Sequence, residues 1–75
     1  MKPVKDRLYL YDYLSYSAIV EVLDRKRDAH QNTVITGTPV VVMRNSAQWH
    51  DGILNLQREG FVKEVSREQD PEYFL

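Results

Sequence analysis

Apolar positions recur along this chain in two different rhythms. Between residues 8 and 16, Leu8, Leu10 and Leu14 interleave with Tyr9, Tyr11, Tyr13 and Tyr16. Tyr9, Tyr13 and Tyr16 fit a helical stripe, whereas Tyr9, Tyr11 and Tyr13 in strict alternation fit a strand. The pattern is read as a helix or an irregular arm over residues 1–16. Ser17 then caps a first helix, Ala18 to Ala29, with Ile19, Val20, Val22 and Leu23 as its buried face. Arg25, Lys26 and Arg27 fall in its last turns, where positive charge complements the helix dipole. His30 to Thr38 is polar, contains Gly37 and reads as a loop with room for a short strand at Thr33 to Thr36. Pro39 has no amide to donate, so it opens a strand or lies at an edge. Val40, Val41, Val42 and Met43 form an unbroken apolar run, expected as a strand buried on both faces or near a sheet centre.

The second helical rhythm starts at Ser46, a good N-cap. Trp49, Ile53 and Leu56 recur at i, i+4 and i+7, and Leu54 widens the stripe. Gly60 is expected to end this helix in a left-handed conformation. Phe61 to Ser66 switches to strand spacing, Arg67 to Pro71 is a turn marked by Asp70-Pro71, and Tyr73, Phe74 and Leu75 begin another strand. The expected class is α+β, with two helices and a three-stranded sheet in the order α-β-α-β-β. Residues 17–75 form the domain and residues 1–16 a tyrosine-rich arm. The apolar end at Leu75 is expected of a fragment, a split subunit or an end that pairs with another chain.

Composition narrows the function classes. A chain of 75 residues makes one domain with a small core that a partner surface would help. It has no cysteine, which excludes disulfides and thiolate metal sites. No apolar run approaches the ~20 residues of a membrane span. A net charge of −1 weighs against a free-standing nucleic-acid binder but leaves room for a local basic face. No cofactor is implied. The clustered tyrosines can cover the domain's own core or present a wet aromatic surface to a neighbouring protein or RNA.

An enzyme finds no support. His30, His50 and Asp51 are the tempting groups, but His50 and Asp51 are adjacent on the expected helix and point apart. There is no nucleophile elbow, glycine-rich phosphate loop or metal-ligand spacing, and no small-molecule substrate is expected.

Two families share the block from Ser46 to Val65. Winged-helix DNA-binding regulators end their recognition helix in a similar Glu-Gly-apolar step, but they need a further helix at Pro39 to Arg44, and Val40-Val41-Val42 is a poor helix interior. The small-subunit ribosomal protein of family eight explains more. Gln57-Arg58-Glu59-Gly60-Phe61-Val62-Lys63-Glu64 resembles the helix-to-strand step of its N-terminal domain. Leu23-Asp24-Arg25-Lys26-Arg27-Asp28-Ala29-His30 resembles the end of its first helix. Several features depart from that family: a longer loop at His30 to Thr38, Arg44 where proline is common, Ala47 where lysine is common, and a domain that is not basic. The family's second domain, with its Ser-Thr-Ser motif, is also absent. The resemblance implies a structural constituent of the ribosomal small subunit, in a divergent mitochondrial form or alternatively a cytoplasmic one. It implies rRNA contacts at Arg25, Arg27 and His30 on the first helix tip and at Ser46 on the second, with Arg44 and Lys63 adding weaker attraction. Tyr9, Tyr11, Tyr13 and Tyr16 would meet neighbouring ribosomal proteins. A winged-helix regulator and a small protein-interaction module using the tyrosine arm are the alternatives.

Overall fold

The tyrosine alternation is that of a strand. The computed structural model describes residues 1–45 and 52–75. Among these residues there is no α-helix. Five strands, β1 (Leu8–Tyr13), β2 (Tyr16–Arg27), β3 (Thr33–Arg44), β4 (Leu54–Leu56) and β5 (Phe61–Val65), make one antiparallel sheet in the order β4-β3-β2-β1-β5. A 3₁₀ turn at Arg58–Gly60 leads into β5, and a second at Pro71–Phe74 follows it. The expected α+β class is therefore corrected to all-β.

Each correction has a local cause. Residues 18–29 were expected as a helix, but Tyr16, Ala18, Val20 and Val22 repeat at period two and are all buried. Val20, Val22 and Ile19 also lose little as strand residues, because β-branched side chains fit a pleated surface. The expected second helix falls partly outside the described residues, at 46–51. Its remainder is not helical: Gly52 has φ +105°, and Leu54 and Leu56 are buried while Asn55 between them is exposed. Gly60 is not left-handed; it closes the first 3₁₀ turn, buried. Residues 73–75 do not form a strand, because Pro71 starts a 3₁₀ turn through Phe74.

Val40 to Met43 is extended within β3, as expected, which removes the helix a winged-helix regulator needs at Pro39 to Arg44. Its burial differs from expectation: Val40, Val42 and Met43 are 38 %, 42 % and 44 % exposed. β4 pairs only with Ile35, Thr36 and Gly37, so the rest of β3 lacks that neighbour. Pro39 lies where the register slips, Val20 facing Pro39 while Ile19 faces Val41. An irregularity of this kind is where a strand tolerates a residue without an amide.

Most of the expected arm's second half is built into the sheet, as β1 and the first residue of β2. β1 is hydrogen-bonded to β2 on one side and β5 on the other. Tyr9, Tyr11 and Tyr16 are at most 2 % exposed and Tyr13 is half-buried, so these rings cover the domain's own core rather than offering themselves to a neighbour. Phe61 receives Tyr9 and Tyr11 edge-on at centroid distances of 5.4 and 5.2 Å, and Tyr16 lies 6.2 Å from Tyr11. Edge-to-face rings place positive edges on negative faces. Two polar handles are satisfied: the Tyr9 hydroxyl accepts from the Val4 amide at 2.7 Å and the Tyr11 hydroxyl from the Gln57 amide at 2.9 Å. The second bond ties the end of β4 back over β1, so the sheet coils around its core.

On the opposite face, cross-strand neighbours Leu8 and Val65, and Leu10, Ile19 and Val41, form a second apolar band. The C-terminal turn closes towards it, with the Lys63 ammonium 5.5 Å from the Tyr73 ring centroid and the Arg67 guanidinium 4.6 Å from that of Phe74.

The β1–β2 connection is only Leu14-Ser15, and Leu14 has φ +54° while 80 % exposed. A leucine there carries a steric cost that glycine avoids. Leu14→Gly is expected to raise stability by ~1 kcal/mol, read as a higher denaturant midpoint with unchanged slope. A lowered midpoint would show that the Leu14 side chain contributes packing that outweighs the strain.

Candidate functional site

A bulge decides where the cations go. Along β2 the core-facing residues are even-numbered up to Val22, which pairs with Gly37. Asp24 then pairs with Thr36, leaving Leu23 as the extra residue. The phase of the alternation inverts, so that odd-numbered Arg25 and Arg27 take over the concave face, opposite Ile35 and Thr33. Without that slip the two arginines would point away from the core side.

Beyond the core, this inversion lines one end of the sheet with a basic cavity of about 220 Å³. Arg25 and Arg27 come from β2, with Lys26 between them reaching the lining from a strand position that alternation turns to the other face, Lys2 from the N-terminal segment and Arg58 from the first 3₁₀ turn. Pro3 and Ile35, both buried, supply apolar wall, and Thr33 supplies a hydroxyl. No carboxylate is among the lining residues. The N-terminal segment is fixed as a wall rather than left as a tail: Asp6 donates its amide to the Val22 carbonyl at 2.8 Å, and the Val22 amide donates to the Arg7 carbonyl at 3.0 Å.

The guanidinium groups are steered without being consumed. Arg25 Nη1 donates to the Pro3 carbonyl at 3.2 Å, and Arg27 Nη1 donates to the Gln31 carbonyl at 2.8 Å. A guanidinium carries five N–H donors in a planar fork, so most remain for an anion. Glu59 lines the adjoining groove, and the two aspartates near the β2 end of the cavity accept backbone amides. Asp24 accepts from the Arg25 amide, and Asp28 accepts from the amides of His30 and Asn32 in the β2–β3 turn. The ion pairs among the described residues, Arg7–Glu64 at 2.9 Å and Arg44–Asp12 at 2.7 Å, involve none of the cavity's cations. The Glu64 hydrogen bond and charge hold the Arg7 guanidinium pKa above its ordinary value.

The six residues expected to meet RNA therefore separate. Arg25 and Arg27 stand together in the cavity. His30 is exposed in the β2–β3 turn and is not part of the lining. Arg44 pairs with Ser17 at the other end of β2, about 30 Å away at ~3.3 Å per residue, and is held by Asp12 and the Leu14 carbonyl. Lys63 lies on β5 over Tyr73. Ser46 falls outside the described residues. The expected basic helix tip is replaced by a basic end of a sheet.

Lys2, Lys26, Thr33 and Arg58 were not among the expected contacts. A hairpin reading of residues 16–44 would have found Thr33, because it pairs with Arg27. Lys2 and Arg58 come from distant segments and carry no local signal. Among the described residues, no cluster of His, Asp or Glu could hold a metal ion, and no helix is long and apolar enough to cross a membrane.

No protein-family model matches the chain, and neither a curated protein nor a solved structure matches it significantly.

Proposed function

We propose that this chain is a non-enzymatic RNA-binding domain that grips phosphate groups through the basic end of its sheet. The observation that carries the reading is the convergence of Lys2, Arg25, Arg27 and Arg58 on one cavity with no carboxylate in its lining, in a chain of net charge −1. Like charges gathered without partners cost stability, and a bound polyanion relieves that cost. Arginine forks match phosphate oxygens bidentately. The β2–β3 hairpin gives such contacts a rigid support, and structured RNA is recognised largely through shape, phosphate and 2′-hydroxyl groups.

Membership of a ribosomal small subunit is the specific form of this proposal. It draws on the strings Leu23 to His30 and Glu59 to Val62, which here form the end of β2 with its turn and the 3₁₀ turn into β5 rather than two helix ends. Sedimentation of cell extract tests it: co-migration with small subunits supports this form, and recovery only at the top of the gradient ends it.

RNA binding itself is tested with a folded transcript containing a helical junction. The logarithm of affinity is expected to fall linearly with the logarithm of salt. Arg25→Ala with Arg27→Ala should weaken binding about 100-fold, at ~1.5 kcal/mol for each charged contact, and should flatten the salt slope by about 1 to 2. Unchanged affinity in a folded double variant would overturn the reading.

A further inference from the structure

We infer that the basic cavity takes the terminal phosphate of a nucleic-acid strand, with the end nucleoside lying in the groove beside it; this rests on the RNA-binding reading above. Three observations point to an end rather than an internal stretch.

The first is the form of the charge. The cations converge on one spot. Of those elsewhere, Arg7 is neutralised by Glu64 and Arg44 by Asp12, Lys63 and Arg67 lie against aromatic rings, and Lys5 lines the recess behind Pro3. A track of internal phosphodiesters, each carrying one charge, calls for cations spread along its path. A phosphomonoester carries about −1.5 to −2 at neutral pH with three acceptor oxygens. It concentrates its charge where the cavity concentrates its own.

The second is a blocked path on one side. The wall formed by Lys2 and Pro3 is held in place by burial of Pro3 and by the Arg25 bond to its carbonyl. On its far side lies a second recess, lined by Val4, Lys5 and Asp24 and sharing Pro3 and Arg25 with the cavity. A strand continuing in that direction would have to displace this anchored segment.

The third is an open path on the other side. The cavity shares Thr33, Ile35 and Arg58 with an adjoining groove of about 340 Å³. There Asn55, Gln57 and Glu59 add hydrogen-bonding side chains, and Val34 and Leu56 add apolar surface. Amide side chains pair with base edges and a carboxylate accepts from exocyclic amines or ribose hydroxyls. A phosphate held between Arg25, Arg27 and Arg58 leaves its nucleoside next to those groups.

The test uses one short unstructured RNA in three versions: 5′-phosphorylated, 3′-phosphorylated, and hydroxyl at both ends. Fluorescence anisotropy with the whole chain reads the affinities at fixed salt. One phosphorylated version is expected to bind about tenfold more tightly than the hydroxyl version, a difference of ~1.4 kcal/mol, and which one identifies the end recognised. Arg58→Gln, at an exposed position, should reduce that preference below about twofold. Equal, measurable binding of all three versions would overturn end recognition and leave RNA binding intact. Binding of none of them, nor of the folded transcript, would overturn both. A preference that survives Arg58→Gln unchanged would place the terminal phosphate elsewhere and reject this site.

Discussion

Replacing Gly60 by alanine is expected to cost about 3 kcal/mol, at the upper end of ordinary overpacking. An added Cβ would intrude on the Tyr11 ring, 2.7 Å from Cζ and 3.0 Å from Cδ1. Neither side can retreat. The ring is fully buried against Phe61 and Tyr16, and its hydroxyl is tied to the Gln57 amide. On the other side, the Gly60 amide donates to the Gln57 carbonyl at 2.9 Å and closes the 3₁₀ turn. A chain of 75 residues has about 4 to 11 kcal/mol of stability in all, so the loss is a large share. Denaturant unfolding measures it. In a double-mutant cycle with Tyr11→Ala the costs should fall short of additivity by more than ~1 kcal/mol, because the smaller residue removes the collision. A single-variant loss below ~1 kcal/mol would mean that the turn shifts freely.

Truncating Tyr11 itself is expected to be as damaging. Tyr11→Ala removes a fully buried ring and should cost ~3 to 5 kcal/mol. Tyr11→Phe keeps the ring but leaves the Gln57 amide without its acceptor, for ~1 to 3 kcal/mol. The pair also differ from wild type in alkali. Burial raises the Tyr11 pKa above the ordinary tyrosine value, and the bond from Gln57 partly opposes this. The neutral phenol is therefore favoured in the folded chain. The unfolded chain ionises first, near pH ~10. The contribution is complete below that pH and is lost as pH rises towards the folded value. Wild-type stability should fall more steeply above pH ~10 than that of Tyr11→Phe. Parallel curves would assign the alkaline loss to other groups.

Legibility from sequence followed range. Features set by a residue and its neighbours were readable: the strand after Gly60, the Asp70-Pro71 turn, the extended run at Val40 to Met43, and the grouping of Arg25 with Arg27. Features set by tertiary pairing were not. The bulge at Leu23 breaks the alternation of β2, so Ile19, Val20, Val22 and Leu23 mimic a helical face. The stripe of Trp49, Ile53 and Leu56 has helical spacing, but Gly52 lies inside it and disfavours a helix interior by ~1 kcal/mol. Tyr9, Tyr11 and Tyr13 had the right period, yet four tyrosines near one end of the chain resembled a contact surface. Their hydroxyls looked as though they needed water; Val4 and Gln57 supply partners from outside the segment. The candidate site was half visible for the same reason. Its β2 arginines are sequence neighbours, whereas Lys2 and Arg58 join them only when the sheet coils.

The place of β1 between β2 and β5 has a kinetic consequence. Its β2 partner is joined to it by two residues, whereas on the other side Arg7 meets Glu64 across 57 positions of chain. Closing that long loop is entropically costly and is rewarded only when β5 docks. Such high-contact-order closure makes arrival of β5 the slow event, on the millisecond-to-second scale of small β proteins. During synthesis, the Tyr9 and Tyr11 rings therefore stay without their Phe61 cover until nearly the whole sheet has emerged, and over that interval the nascent chain has most to gain from a chaperone.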